Sequence, residues 1–258
     1  MLKFKGIVGQ ELRPNYFYQA FGRSVTNNRI LSFGSCNFSC PYCKRLDTFR
    51  QEDGSVIDAV PVTMQDIFTL CDDAVSKGQV VRLSGGDPVM FPSESIEIGK
   101  YVRKIGGRMS MAHNGSSPSF ASRVAPYLEA AAIDLKATKE GMSTIIGFTE
   151  GRGQVMFDRS IDTQNVLAAA NVLVDVRTPV FGWTTLDDLL QIAESIVRQP
   201  HPEMKFWTLR LYKRVSWCDF EPPIQENVIW MANEVKHKFP VLPMGIRAKW
   251  EPRGFLFL

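Results

Sequence analysis

An α/β fold organised as an open, partial barrel of six strand-helix units is what the sequence predicts, and three observations predict it. From Ile30 onward short apolar runs alternate with amphipathic helical stretches, the pattern of a parallel sheet with crossover helices. Six such units follow one another, too few for the closed eight-stranded barrel. No internal repeat, low-complexity run or linker interrupts the 258 residues, so a single domain over 1–258 is expected.

Taken in order, residues 1–29 carry no clear period. They read as a lead-in that packs on the barrel through Phe4, Tyr16, Phe17, Tyr18 and Phe21, with room for a strand. The core is expected over 30–213, its first strand at 30–34. Thr63 then caps a helix in which Met64, Ile67, Phe68, Cys71 and Val75 share one face before Gly78 stops it. Strands are predicted at 79–84, 108–112, 131–135, 172–178 and 205–211, with helices near 93–104, 119–129, 158–170, 185–199 and 224–238. Residues 214–258 supply the last helix and an apolar tail, Phe255-Leu-Phe-Leu258, expected to cover one mouth of the barrel. In sheets of this kind ligands sit at the C-terminal ends of the strands, so function is sought in the loops that follow them.

Composition excludes several classes. Residues are 45% hydrophobic and 22% charged, ordinary for a globular protein that buries a full core. A net charge of +3 is too small to argue for nucleic acid or an anionic membrane as a partner. Apolar windows are too short to span a bilayer, and Met1-Leu-Lys-Phe-Lys-Gly lacks the apolar stretch of a secretory leader, so a cytoplasmic location is expected.

Three of the five cysteines, Cys36, Cys40 and Cys43, fall within eight residues at a CxxxCxxC spacing, in the loop after the first core strand. Structural zinc takes four protein ligands and the usual cubane iron-sulfur cluster four cysteines. Three point to a 4Fe-4S cluster with one iron open to a ligand that is not protein. The competing readings are a zinc knuckle or buried core thiols, that is, a non-catalytic metal-binding or structural module. Against them, Asn37, Ser39, Pro41, Lys44 and Arg45 make this a polar loop, and no second cysteine pair completes a zinc site. Only Cys71 and Cys218 remain, too few for a second all-cysteine cubane. Lys44, Arg45 and Arg50 are cations that favour thiolates and suit docking of an acidic electron donor, a flavodoxin or ferredoxin; a solvated basic face explains them equally. After the second strand, Gly85-Gly86-Asp87-Pro88 lets the backbone pass close to a ligand and offers a carboxylate to a cationic amine, though as a lone motif it reads as a turn. Strand-end Asn114, Asp134 and Lys136 converge on the same mouth.

The cysteine spacing, with Tyr42 before the third cysteine, resembles the signature of the radical S-adenosylmethionine (SAM) superfamily, and Gly85-Gly86-Asp87-Pro88 resembles its Gly-Gly-Glu-Pro motif with the acid one methylene shorter. The resemblance implies the partial-barrel core of that superfamily and a 4Fe-4S cluster on Cys36, Cys40 and Cys43 whose open iron is chelated by the amine and carboxylate of SAM. It also implies SAM contacts from Tyr42, Gly85, Gly86, Asp87, Asn114, Asp134, Lys136 and Arg177. Asn114-Gly115, Asp134-Leu-Lys136 and Arg177 further resemble the pyruvate formate-lyase activating enzyme group, with Thr144-Ile-Ile-Gly147 matching a short helical segment there. There are departures. That group has a glycine before the first cysteine, where Ser35 stands here, and an acid and a threonine for a monovalent cation, where Ala112 and His113 stand. The implied activity is reductive cleavage of SAM and hydrogen-atom abstraction from a substrate. That substrate is either a glycyl-radical enzyme or, as the departures favour, a small molecule or peptide, as in 7-deazaguanine-forming or peptide-modifying enzymes. Cys218, as a hydrogen-atom donor, and His113, as a SAM or substrate contact, are weighed against ordinary buried roles, which are preferred.

Overall fold

The computed structural model describes residues 2–7, 13, 14, 16–43, 48–50, 56–58, 60–248 and 254–258. Strand β1 (Leu2–Ile7) and the two-residue β2 (Arg13–Pro14) both run antiparallel to β3 (Asn27–Phe33), the first core strand. A separate ribbon pairs β4 (Thr48–Arg50) with β5 (Val56–Asp58), and β6 (Val60–Val62) lies antiparallel to β1. The repeating part follows: α1 (Met64–Ser76), β7 (Val80–Gly85), α2 (Pro92–Lys104), β8 (Arg108–His113), α3 (Pro118–Val124), β9 (Ala130–Asp134), α4 (Met142–Ile146), α5 (Glu150–Ala169), β10 (Leu173–Val180), α6 (Leu186–Val197), β11 (Lys205–Leu211) and α7 (Gln225–Lys238). It ends on β12 (Met244–Arg247) and the antiparallel β13 (Leu256–Phe257). Strands β3, β7, β8, β9, β10, β11 and β12 are hydrogen-bonded side by side and parallel. The sheet runs from β13 at one edge to β6 at the other, which leaves the barrel open.

The six expected strand-helix units are present, and a seventh parallel strand follows them. β12 has only four residues with a glycine among them, so its identity comes from pairing with β11 rather than from local pattern. Helix α5 starts eight residues earlier than its periodicity suggests. Gly151 and Gly153 look like a turn, but a Cβ on Gly153 would stand 2.4 Å from the Ser143 backbone nitrogen, so the glycine permits α4 and α5 to touch. The helix expected at 119–129 is cut to Pro118–Val124, and a 3-10 turn over Ala125–Tyr127 replaces its end at Pro126. Helix α1 starts as predicted: Thr63 Oγ1 accepts from the Asp66 nitrogen and the Asp66 carboxylate from the Thr63 nitrogen, a reciprocal cap worth about 1 kcal/mol.

Alternation along the strands divides the interior in two. Val81 and Leu83 of β7, Val174 and Val176 of β10, and Trp207 and Leu209 of β11 are buried with helix residues Ile67, Ile98, Leu189 and Val228 in one core. The alternate residues face the barrel lumen. Near the N-terminal ends of the strands Ala130, Leu173 and Phe206 pack with Phe17, Tyr18 and Phe255, so the lead-in and the tail together close that mouth. Further along, the lumen positions become polar: Arg82, Ser84, Asp175, Arg177, Thr208 and Arg210. No helix among the described residues is long and apolar enough to cross a membrane.

Candidate active site

The polar lumen opens toward the C-terminal ends of the strands, and the loops there are tied to one another. Gly86 donates its backbone N–H to the Phe33 carbonyl (2.8 Å) and Asp87 to the Ser35 carbonyl (2.8 Å), joining the turn after β7 to the start of the cysteine loop. The approach needs two glycines. Gly85 has φ +109 and a Cβ there would sit 2.3 Å from Phe33 backbone atoms; a Cβ on Gly86 would sit 1.7 Å from the Ser35 oxygen. Ser35, the residue that replaces a glycine of the resembling group, itself has φ 73, in the region where glycine is unstrained. Asn114, after β8, donates from Nδ2 to Asn37 Oδ1 (2.7 Å) and toward Cys36 Sγ (3.7 Å), while Asn37 Nδ2 donates to Ser116 Oγ (2.8 Å). The Ser39 nitrogen donates to the Ile146 carbonyl at the end of α4 (3.2 Å), and Phe38 packs edge-on against Phe148. The cysteine loop is thus held by the ends of three other units.

Within that loop Cys40 is buried and Cys36 and Cys43 are half-buried. The Phe38 nitrogen also points at Cys36 Sγ (3.4 Å). Burial, then the Asp87 charge, pushes the Cys36 thiol up to about 12; burial pushes Cys40 up to about 11, against the pull of Lys136. Without metal these thiols are protonated at neutral pH, and ligation would release their protons. Among the described residues no three His, Cys, Asp or Glu side chains close on a single ion. The donor set fits a cluster, in which each thiolate takes its own iron, and N–H groups aimed at sulfur are what tunes such a cluster. Lys44 and Arg45 lie outside the described residues, as does the Arg50 side chain.

The acidic member of the glycine motif turns inward. Asp87 is 2% exposed; Oδ1 accepts from the Val89 nitrogen (2.9 Å) and meets His113 Nδ1 (2.7 Å), and Oδ2 accepts from the Asn114 nitrogen (2.7 Å). Its short side chain caps the 3-10 turn Pro88–Met90 and braces β8, and His113 is its buried partner. Asp134 and Lys136 form an ion pair at 2.6 Å. Burial opposes both charges, yet the pairing holds the Asp134 carboxyl below and the Lys136 ammonium well above their ordinary ranges. Lys136 also lies over the Tyr42 ring, which packs among Phe181, Tyr212 and Phe220. Arg177 Nε donates to Asp175 Oδ2 (2.6 Å), and the other oxygen of Asp175 accepts from Thr208 Oγ1. Cys218 is buried beside Tyr212, away from the cysteine loop in sequence but against the same aromatic cluster.

Tyr42, Gly85, Gly86, Asp87, Asn114, Asp134, Lys136 and Arg177 therefore gather with the three cysteines around one mouth. Sequence reasoning missed Asn37, Arg82, Asp175 and Arg210. The signal was there for the last three: charged residues at alternate positions of otherwise apolar strands, Val-Val-Arg-Leu, Val-Asp-Val-Arg and Thr-Leu-Arg-Leu, place charge on a face that must look into a cavity.

No protein-family model matches the chain. It is 24% identical over 184 residues to a 7-carboxy-7-deazaguanine synthase of Methanothermobacter thermautotrophicus, covering 69% of this chain and 72% of that one. It is likewise 24% identical over 171 residues to a protein of Methanocaldococcus jannaschii named as a glycyl-radical enzyme activating enzyme, covering 65% and 67%. Among solved structures, a radical SAM methyltransferase from Sphaerobacter thermophilus superposes with a TM-score of 0.61 at 12% identity, over 86% of this chain and 68% of that one, a likeness of fold. The α/β partial barrel and these relatives support reading the chain as a radical SAM enzyme, similar to proteins that work with a 4Fe-4S cluster and SAM.

Proposed function

We propose that Cys36, Cys40 and Cys43 hold the cluster, that SAM binds at the mouth above the lumen, and that the substrate enters the lumen itself. Held there, a reduced cluster would supply the electron for reductive cleavage of SAM, the chemistry that would lead to hydrogen-atom abstraction from the substrate. The carrying observation is the tying of the cysteine loop to the Gly85-Gly86 turn, which sets the first cysteine beside backbone able to meet the methionyl amine. Asp87 acts mainly by fixing that turn, with one acceptor position left for the amine. Asn114, the Asp134–Lys136 pair, Tyr42 and Arg177 line the rest of the SAM site, where donors and acceptors are needed for a carboxylate, a ribose and an adenine.

A small molecule is the favoured substrate, since the lumen is polar and closed at its far end by Phe17, Tyr18 and Phe255. The similarity to a deazaguanine-forming enzyme supports this reading; the similarity to an activating enzyme supports the other, a protein glycine loop. An acidic flavodoxin or ferredoxin in the cytoplasm is the proposed electron source. The test is anaerobic reconstitution with iron and sulfide, reduction with dithionite, and quantitation of 5′-deoxyadenosine, with Cys40→Ala as control. Cys40-dependent product supports the assignment. If Cys40→Ala cleaves SAM as the parent does, the cluster ligands are misassigned.

A further inference from the structure

Two positions at which the sequence departs from the patterns it resembles, Asp87 and His113, meet in the structure. His113 Nδ1 lies 2.7 Å from Asp87 Oδ1, with both side chains buried. Carboxylate oxygens accept, so Nδ1 carries the hydrogen. The imidazole thereby joins the backbone nitrogens of Val89 and Asn114 as donors around one carboxylate. That carboxylate stands at a junction. The Asp87 backbone N–H is tied to the Ser35 carbonyl at the head of the cysteine loop, and Asn114, fixed through its own nitrogen, donates to Asn37 and toward Cys36.

The direction in which His113 points separates a support from a contact. On β8 it alternates with Ala112 and shares the helix-facing side with Met109 and Met111, both in the core. Its ring meets the Phe120 ring of α3 edge-on at 5.5 Å. It therefore faces away from the lumen. Nε2 is buried and has no hydrogen-bond partner among the described residues. For packing against Phe120 alone an apolar side chain would serve better, because an orphaned buried nitrogen costs stability. The ring keeps a single hydrogen bond, and that bond ends on Asp87.

We propose that His113 is a positioning residue for SAM: through Nδ1 it fixes the Asp87 carboxylate, and with it the Gly85-Gly86-Asp87 turn, without touching SAM itself. This rests on the reading of that turn as the place where the methionyl amine is met.

The test uses enzyme reconstituted with iron and sulfide and matched for iron content. SAM affinity is read by equilibrium dialysis, KM and kcat from dithionite-driven 5′-deoxyadenosine formation, and folding from the thermal midpoint. His113→Leu fills the space and removes the donor. Its Kd and KM for SAM should rise about tenfold or more, the worth of a hydrogen bond to a charged group, with kcat near that of the parent. His113→Asn should bring both back close to the parent values, because an amide nitrogen on Cγ can stand where Nδ1 does; His113→Gln, with its nitrogen one atom further out, should not. A merely structural role would give the pattern expected of Cys71→Ala in α1, a lowered midpoint with the affinity of the parent. If His113→Leu fails to fold, Asn against Gln carries the decision. Parental SAM affinity in His113→Leu, or equal affinities in the Asn and Gln variants, overturns the proposal. A parent that carries the cluster and binds no SAM overturns instead the reading of the turn as the SAM site, and the role of His113 falls with it.

Discussion

Gly86→Ala is the sharpest single perturbation of the proposed site. A methyl group at this position would lie 1.7 Å from the Ser35 carbonyl oxygen and 2.4 Å from its carbon, both backbone atoms that no rotamer change can clear. To reach even 3.0 Å the turn after β7 and the head of the cysteine loop must part by roughly 1.3 Å. That motion stretches two hydrogen bonds, Gly86 to Phe33 and Asp87 to Ser35. Forced overpacking of this kind costs about 1–3 kcal/mol, within the stability of an ordinary domain, so the variant should fold with a lowered melting temperature. Catalysis should suffer more, because a displacement of about 1 Å in a reacting geometry can cost about 100-fold. The assay is dithionite-driven 5′-deoxyadenosine formation on protein matched for iron content, with circular dichroism as the check on folding. Cleavage within a few-fold of the parent and an unchanged melting curve would show that the turn does not bear on the cysteine loop.

Cys36→Ala and Cys43→Ala should abolish SAM cleavage and lower bound iron, whereas Cys71→Ala should cleave normally and lose only about 1–2 kcal/mol for the cavity it leaves in α1; iron content and product yield decide. Asn114→Ala removes the donors to Asn37 and Cys36 and is expected to weaken iron retention about 10–100-fold against a chelator, as loss of an outer hydrogen bond does at metal sites. Lys205, fully buried at the start of β11 and bonded to Asn165, has its ammonium pushed down to about 8 by burial. Between about 8 and the ordinary 10.5 the unfolded chain binds the proton and the folded one does not, so parent stability rises with pH across that window. Lys205→Met should therefore be the more stable protein at pH 7, by about 1 kcal/mol after allowing for the lost hydrogen bond and solvent screening, with the advantage fading toward pH 10; chemical denaturation at the two pH values measures it.

Much of this architecture is legible in local pattern because the parallel strands are buried on the helix side and α1, α3 and α6 are capped by the side chains of Thr63, Ser117 and Thr185. Thr63 and Asp66 announce α1 without any knowledge of what it packs on. What escapes is decided at long range. β12 is a strand because β11 lies beside it, and α5 begins early because a glycine that looks like a stop is a point of contact with α4. The cysteines, the glycine pair and the strand-end Asn, Asp and Lys are visible as motifs. The inward turn of Asp87 is not, since it depends on His113 and the Asn114 backbone coming from the next strand. The lumen arginines were legible in principle: period-two alternation puts them opposite the valines, leucines and tryptophan that make the core, and only knowledge that the sheet curls tells that this second face encloses a cavity rather than meeting solvent.

The described part of the cysteine loop, residues 34–43, has no helix or strand of its own, yet three sulfurs must be held in fixed relation for the proposed cluster to form. Its rigidity is borrowed. The turn after β7 fixes Ser35, the end of β8 fixes Asn37 through Asn114 and Ser116, and the helix following β9 fixes Ser39. Each tie originates at the C-terminal end of a strand or in the helix that follows one, and the same strands carry Ser84, Ala112 and Ala132 on their lumen side. On the proposed reading, cofactor position and substrate position are both referred to the same three strands. A radical that must find one hydrogen atom among many needs that shared reference more than it needs any single contact, because an error in the relative placement of the two sites cannot be corrected by tighter binding at either.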